Sequence, residues 1–227
     1  MIKFLPLLLG LAYGYLMLRF SAAQSSKALK AQSKPLRDPA LQPLVDRLAA
    51  ALDLPSIGVN IYEIDAVNGL AAHDGQIYLT RGFLQRRERG EVSNEELASV
   101  IAHELGHVAL GHARRRMVDF SGQNAVFMML STLLNRFLPG IGVLLARGIS
   151  SVLMARLSRR DEFEADAYAS ALLVKAGIGL GPQISLFQKL GRLTGSDGSG
   201  VPAWVRSHPK TDDRIAAIQT RAARWQI

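Results

Sequence analysis

The sequence contains no cysteine among its 227 residues. This absence excludes disulfide scaffolds, cysteine-ligated zinc ribbons, iron–sulfur clusters and thiol nucleophiles, so any metal site must use histidine and carboxylate side chains. Charged residues are also scarce at 20%, whereas hydrophobic residues make up 48% and the mean hydropathy is +0.12. This composition argues against intrinsic disorder and favours a membrane connection.

Acidic residues are outnumbered, because 27 Lys and Arg stand against 19 Asp and Glu and give a formal net charge of +8. Such a chain could bind nucleic acid or anionic lipid, and charge alone does not choose between them. The basic residues are spread along the chain without interleaved aromatic residues, which amount to only 7%. We therefore predict no nucleic-acid partner.

An apolar run begins at Phe4 and ends at Leu18, before Arg19. Its length of about 15 residues lies between a signal-peptide core and a minimal spanning helix. Residues 1–20 are therefore predicted to be a signal anchor or a signal peptide. Small residues at 21–23 favour cleavage and an extracytoplasmic catalytic domain. The excess of Lys and Arg after the run favours an uncleaved single-pass anchor with a cytoplasmic domain.

The remaining chain is predicted to be a linker over residues 21–39 and one domain over residues 40–227. Apolar spacing predicts an amphipathic helix at 41–52, and alternation with Asn-Gly and Asp-Gly turns predicts a small antiparallel sheet between 55 and 80. Ser93, which is followed by acidic residues at 95 and 96, predicts a capped helix that continues to about Arg116. Further helices are predicted at 161–175, 183–193 and 211–225. The fold class is thus α+β and mostly helical.

A hydrophobic helical hairpin is predicted over residues 121–157. Arg136, Arg147 and Arg156 divide it into short pieces, and Pro139-Gly140 supplies a break. Since no piece reaches the 18 or so apolar residues of an isolated spanning helix, we expect two buried or membrane-surface helices. A transmembrane pair is the less favoured alternative. Basic residues at both ends of the hairpin could contact a lipid bilayer.

The chemistry-bearing motif is His103-Glu104-Leu105-Gly106-His107, within the capped helix. Residues four apart share one helix face, so both imidazoles can bind one metal ion while Glu104 lies beside it. Glu104 then has the role of general base, which takes a proton from metal-bound water and passes it to the leaving amine. The motif predicts peptide hydrolysis at one Zn²⁺ ion.

Hydrolytic zinc generally has three protein ligands, so a third ligand is required. On a continuing helix His112 points about 180° from His103, and we expect it to cap or pack rather than to bind metal. The acidic cluster at 161–166 is the better source. Glu162 and Asp166 share a helix face, so Glu162 is predicted as the ligand and Asp166 as an acceptor that orients a ligand histidine. Glu164 is expected to be an exposed charge paired with an arginine.

This combination of motifs resembles the membrane-associated zinc metallopeptidases, or gluzincins, of the HtpX, BepA, Oma and CAAX prenyl protease type. The likeness extends from about Leu41 to the C-terminus and includes Ser207-His208-Pro209 followed by Arg214. It implies an HExxH zincin domain with a membrane anchor. It also implies that His208 approaches the metal from the far side, where it stabilises the oxyanion or binds the metal and closes the site.

The predicted function is therefore that of a zinc-dependent metalloendopeptidase. The resemblance implies a role in membrane protein quality control, with misfolded or membrane-associated proteins as substrates. The alternative is a proteolytically silent chaperone or binding module of the same fold. The strand at Ile77 to Thr80 is expected either to pair with an extended substrate at the sheet edge or to cover the active helix.

Overall fold

The computed structural model of the protein describes residues 23–24, 26–72, 74–193, 208 and 212–225. The anchor or signal peptide predicted over residues 1–20 lies outside this part of the chain. Among the described helices, none combines the length and the apolar character needed to cross a bilayer.

The structure is mostly helical with one small sheet, which confirms the α+β class. The helices predicted near 41–52, 183–193 and 211–225 are confirmed. In chain order the elements are β1 (Ser33–Pro35), α1 (Gln42–Ala51), β2 (Val59–Tyr62), β3 (Gly69–Ala71), β4 (Ile77–Thr80), α2 (Arg81–Glu88), α3 (Asn94–Ala109), α4 (His112–Phe137), α5 (Gly142–Lys175), α6 (Gly181–Leu193) and α7 (Asp212–Trp225).

The four strands form one sheet in the order β1-β2-β4-β3. The prediction of an antiparallel sheet was wrong for its central pair, because β2 and β4 run parallel while the two outer pairs are antiparallel. The chain passes through the edge strand β3 before it returns to the middle, and this return makes the parallel pairing. The predicted linker at 21–39 also contributes to the sheet, since its residues 33–35 form β1 beside β2.

The strand at Ile77 to Thr80 is β4, and it lies in the interior of the sheet, so the expectation that it forms an edge was wrong. All four of its residues are buried. The hydroxyl of Thr80 donates to the carbonyl of Asn68 and accepts from the Asn68 amide, which fixes the chain at the start of β3. The edge on this side of the sheet is β3. Both β3 and β4 contact α3, in agreement with the other expectation, that the strand covers the active helix.

Helix α3 is the centre of the domain. It contacts α1, α5, α6, β3 and β4, and every residue from Glu96 to His107 is buried. A helix enclosed on all sides does not need a polar face, and Leu97, Val100 and Ile101, which precede the motif on this helix, belong to the hydrophobic core. The packing therefore buries the motif inside the domain.

The predicted cap at the start of α3 is confirmed as a reciprocal capping box. The Glu96 amide donates to the Ser93 hydroxyl, and the Ser93 amide donates to the Glu96 carboxylate. The same carboxylate accepts from the hydroxyl of Ser185 and pairs with Lys189 at 2.7 Å, both on α6. Burial raises the pKa of Glu96, but these donors outweigh it and lower the pKa below the ordinary value.

The end of α3 differs from the prediction. The helix ends at Ala109 rather than near Arg116, because Gly111 adopts a left-handed conformation with φ 64° and the chain turns before α4 begins at His112. Glycine is suited to this position since it carries no Cβ that would clash there. After this turn α4 and α5 pack against each other, and Gly140 turns the chain between them with φ 85°.

Replacement of Glu96 by Gln is expected to lower the free energy of unfolding by about 1.5–3 kcal/mol at pH 7, because the variant loses charge-assisted hydrogen bonds. Since the pKa of Glu96 is depressed in the folded state, this stabilisation is present above the unfolded pKa of about 4.3 and is lost as the pH falls through the folded value. Urea unfolding should show that the difference in free energy of unfolding between Glu96→Gln and wild type becomes smaller as the pH is lowered from 7 to 3.

Glu95→Gln is the matched control, because Glu95 is an exposed carboxylate in the same first turn. It should cost only about 0.3–1 kcal/mol from the helix dipole. Equal losses in the two variants, or a Glu96→Gln loss that does not change with pH, would contradict the assigned bridge between α3 and α6.

Candidate metal centre

Helix α3 brings the imidazoles of His103 and His107 together, as predicted from their spacing. Their Nε2 atoms lie 3.1 Å apart, and the two rings are 4.8 Å apart between centroids. Both residues are buried, with 2% and 7% of their surface exposed. The two Nε2 atoms thus face a common point inside the protein.

Helix α5 brings Glu162 to the same point, as predicted. Its Oε2 lies 3.4 Å from His103 Nε2, and its Oε1 lies 3.5 Å from His107 Nε2. Gly106 makes this approach possible, because a Cβ there would lie only 3.0 Å from the carbonyl oxygen and 3.1 Å from the Cα of Ala165. The backbones of α3 and α5 therefore touch at the level of the cluster.

His208 also belongs to the cluster. Its Nδ1 lies 3.0 Å from Glu162 Oε2 and 3.3 Å from His103 Nε2, while its Nε2 lies 3.4 Å from Glu104 Oε1. It is buried, although 105 positions separate it from His103. The structure thus brings His208 to the point where the ligand atoms of α3 and α5 converge.

The donor set fits a metal ion. Ligand atoms of His103, His107, Glu162 and His208 all lie within 4.8 Å of one another, and all four residues are buried. A tetrahedral zinc ion with bonds of about 2.0–2.1 Å separates its ligands by about 3.4 Å. The two Nε2 atoms lie 3.1 Å apart, and the Glu162 carboxylate lies 3.4 Å from His103 Nε2 through Oε2 and 3.5 Å from His107 Nε2 through Oε1, distances close to this value. These residues could therefore hold such an ion.

Asp166 lies one turn beyond Glu162 and contacts the outer side of His103. Its Oδ1 is 3.0 Å from His103 Nδ1, as expected of an acceptor that orients a ligand histidine. Arg214 of α7 holds Asp166 through two hydrogen bonds of 2.6 and 2.8 Å and also lies 3.2 Å from Glu162. The sequence signalled Arg214 only through family resemblance, since nothing in local spacing connects α7 with α5.

The two buried carboxylates favour positive charge at the cluster. Burial lowers the pKa of His103, but hydrogen bonds to Asp166 and Glu162 outweigh it and raise the pKa to about 9. Burial raises the pKa of Glu162, but hydrogen bonds from His103 and His208 hold it well below the ordinary range. Burial also raises the pKa of Asp166, but the hydrogen bonds from the Arg214 guanidinium outweigh it and lower this pKa below its ordinary value.

Glu104 lies beside the cluster on the side of the sheet. Its side chain is 3% exposed, and its Oε1 approaches His208 Nε2. A Cβ built on Gly69 of β3 would lie 3.6 Å from Glu104 Oε1, so the edge strand passes directly over this carboxylate. Glu104 therefore faces both the ligand atoms and the sheet edge.

His112 has a position that sequence reasoning missed. Its Nδ1 lies 2.8 Å from His107 Nδ1, and the residue is completely buried. The angle of 180° from His103 assumed a continuing helix, whereas Gly111 ends α3 and folds His112 back onto the site. The sequence predicted that His112 caps or packs rather than binds metal, and the structure places it against His107. A glycine four residues after the second histidine is the signal that could have revealed the turn.

Glu164 pairs with arginine as expected. It accepts hydrogen bonds from Arg115 at 2.7 Å and Arg160 at 2.8 Å, and these guanidinium groups lower its pKa to about 2. Its side chain is 30% exposed, so it is half-buried rather than a fully exposed charge. It also approaches His112 Nε2 at 3.3 Å.

These features define a class of protein: an α+β domain whose central helix contributes two histidines to a buried cluster that could bind a metal ion, with a carboxylate beside it. The family model described as Peptidase family M48 matches residues 35–222. The chain belongs to this family, which confirms the resemblance read from the sequence.

Several named metalloproteases are similar to the chain. It is 28% identical over 172 residues to metalloprotease LoiP of Escherichia coli, with 73% of this chain and 62% of LoiP covered. It is 27% identical over 209 residues to protease HtpX of Pseudomonas paraeruginosa, with 76% and 68% covered. Metalloprotease YcaL of Escherichia coli is 28% identical over 172 residues, with 74% and 63% covered. The chain thus spans less than two thirds of the length of LoiP and YcaL.

Replacement of Arg214 by Met is expected to lower the free energy of unfolding by about 3–5 kcal/mol, because it leaves the buried Asp166 without its charged partner. The Arg214 side chain is 1% exposed and lies over the Phe187 ring, 4.7 Å from its centroid. Arg224→Met removes an exposed arginine from the same helix and should change stability by no more than about 0.5 kcal/mol. Urea unfolding measures the free energy of unfolding of both variants. Similar losses of stability in Arg214→Met and Arg224→Met would show that the buried Arg214–Asp166 pair does not determine stability.

Proposed function

We propose that the protein is a zinc-dependent metalloendopeptidase. The observation that carries the proposal is the convergence of His103 Nε2, His107 Nε2 and the Glu162 carboxylate, with Glu104 beside them. Membership of a peptidase family supports it, as do the metalloprotease names of the relatives. In this proposal His103, His107 and Glu162 bind one Zn²⁺ ion.

When bound, zinc would lower the pKa of a water molecule to about 7 and polarise the substrate carbonyl. The remaining steps use residues of the chain. Glu104 accepts the proton of the attacking water and delivers it to the leaving amine, a role for which its carboxylate lies beside the ligand atoms. Asp166 accepts a hydrogen bond from His103 Nδ1 and so keeps Nε2 free for the metal.

His208 approaches both Glu162 and Glu104, and two roles follow from that position. As a donor it would stabilise the negative charge that develops on the carbonyl oxygen in the transition state. As an additional ligand it would close the coordination shell and keep the enzyme inactive. The two roles predict opposite effects on the reaction rate. Removal of His208 slows the reaction if His208 stabilises the transition state, and accelerates it if His208 closes the site.

Substrate binding is proposed at the edge strand β3. This strand pairs with β4 on one side and lies over Glu104, so an extended peptide paired along its other side would pass beside the proposed zinc site. Main-chain hydrogen bonds would provide most of the affinity, which predicts low side-chain specificity. Such binding suits misfolded proteins with exposed extended segments, in agreement with the quality-control role expected from the family resemblance.

The alternative function is a proteolytically silent chaperone or binding module with the same cleft. It would use the metal for structure, or His208 to keep the cleft closed, and it would bind unfolded segments without hydrolysing them. Glu104 distinguishes the two functions because hydrolysis needs a general base and binding does not.

Glu104→Gln is expected to lower kcat for a protein or peptide substrate by about 10²–10⁴-fold while zinc remains bound. Glu162→Ala is expected to weaken zinc binding by at least about 10-fold, because removal of a ligand costs no less than removal of an outer partner. Peptide cleavage and metal analysis of the purified full chain test both expectations.

The control for both variants is Glu95→Gln, which changes an exposed carboxylate on the same helix and should leave cleavage and zinc content unaltered. Unchanged zinc content in Glu162→Ala would overturn the ligand assignment. Wild-type protein that binds zinc and suppresses aggregation without cleavage, with Glu104→Gln behaving identically, would support the chaperone alternative instead.

A lipid bilayer is proposed as a second partner, and it would contact the hairpin of α4 and α5. Large apolar side chains are exposed around its turn, including Phe137 at 70%, Ile141 at 57% and Leu144 at 69%. Between positions 120 and 160 the sequence contains five arginines and no acidic residue. An apolar surface flanked by arginines suits the interface of an anionic membrane.

The absence of cysteine allows a local test of this contact. A fluorophore attached to Leu144→Cys is expected to be quenched by brominated lipid in vesicles that contain phosphatidylglycerol, and much less in vesicles of phosphatidylcholine alone. The control label at Leu54→Cys lies at another exposed leucine, 47% accessible and outside the hairpin. Equal quenching at the two positions would contradict contact through the hairpin, even if residues 1–20 attach the protein to the vesicle.

A further inference from the structure

We propose that His112 is a positioning residue that sets the tautomer and orientation of His107, the second proposed zinc ligand. This inference rests on the proposed zinc site. His107 directs Nε2 toward the cluster and Nδ1 away from it. A neutral imidazole that binds metal through Nε2 carries its proton on Nδ1, so this Nδ1 needs an acceptor.

The acceptor is His112 Nδ1, which lies 2.8 Å from His107 Nδ1. The two rings are 4.9 Å apart between centroids and inclined by 73°, and His112 has no exposed surface. Complete burial prevents water from replacing this contact. The hydrogen bond therefore determines which ring nitrogen of His107 carries the proton.

The other side of His112 fixes its own tautomer. His112 Nε2 lies 3.3 Å from Glu164 Oε2, and a carboxylate can only accept, so the His112 proton resides on Nε2. Nδ1 then keeps its lone pair for His107. Arg115 and Arg160 hold Glu164 in its turn, through hydrogen bonds of 2.7 and 2.8 Å. The result is a continuous series of hydrogen bonds from Glu164 through His112 to His107.

Helix α5 thus supports the two proposed zinc ligands of α3 in two different ways. Asp166 of α5 contacts His103 Nδ1 directly at 3.0 Å, whereas Glu164 of α5 acts on His107 through His112. Gly111 makes the indirect route possible, because its left-handed turn returns the first residue of α4 to the site. A straight continuation of α3 would have carried His112 away from His107.

A second cation site is a weaker explanation of the same residues. His112, Asp161 and Glu164 are close enough to hold a metal ion. However, Arg115 Nη1 already lies 3.0 Å from Asp161 and 2.7 Å from Glu164. The guanidinium supplies the positive charge that these carboxylates require, so a positioning role accounts for the cluster without another ion.

Two substitutions separate positioning from packing. His112→Asn keeps an acceptor near the position of Nδ1 but leaves space, whereas His112→Phe fills the space without an acceptor. We expect zinc affinity, measured by chelator competition on the full chain, to fall about 10–100-fold in His112→Phe. It should be largely retained in His112→Asn. A side chain needed only for packing would produce the opposite order.

Thermal unfolding of the metal-free variants shows whether each one folds. If neither His112 variant does, Glu164→Leu tests the inference from the half-buried end of the series, where we expect a several-fold loss of zinc affinity. Wild-type affinity in His112→Phe or in Glu164→Leu would overturn the positioning role. Failure of the zinc site itself is distinguishable, because then wild-type protein would bind no zinc, or Glu162→Ala would bind it as wild type does.

Discussion

The contact between α3 and α5 at Gly106 is the constraint on which the site depends. Two helices normally pack 8–10 Å apart, at a distance set by the side chains between them. At Gly106 no side chain intervenes, and the backbone near Ala165 comes to the surface of α3. The carboxylates of Glu162 and Asp166 can therefore reach the imidazoles of His103, three residues before that contact, and His107, the residue after it. A larger residue at 106 would separate the two halves of the site.

Buried charge is the second constraint, and it explains why so many polar groups surround two histidines. Glu162 and Asp166 are both almost completely buried, and an unpaired carboxylate there would destabilise the fold by several kcal/mol. Arg214 offsets part of this charge, while His103 and His208 are drawn toward the rest. The same arrangement that favours positive charge at the cluster also makes it suited to a divalent ion. Stability and metal binding thus depend on the same residues.

Much of the domain could be read from local pattern. The four-residue spacing of His103 and His107, the same spacing of Glu162 and Asp166, and the capping box at Ser93 and Glu96 all depend on helix geometry, which extends over a few residues. Other features depend on contacts between distant segments. The parallel pairing of β2 with β4, the recruitment of residues 33–35 into the sheet and the edge position of β3 could not be derived from alternation alone.

The sequence by itself determined which residues can do the chemistry: with no cysteine present, a metal must bind to histidine and carboxylate, and helical periodicity selects the faces that carry them. Only the tertiary structure decided how these residues are supported. Gly111 turns the chain so that His112 meets His107, and α7 carries Arg214 to Asp166 across 48 positions of sequence. Periodicity describes directions within one helix, whereas the meeting of two helices depends on the packing of the whole core.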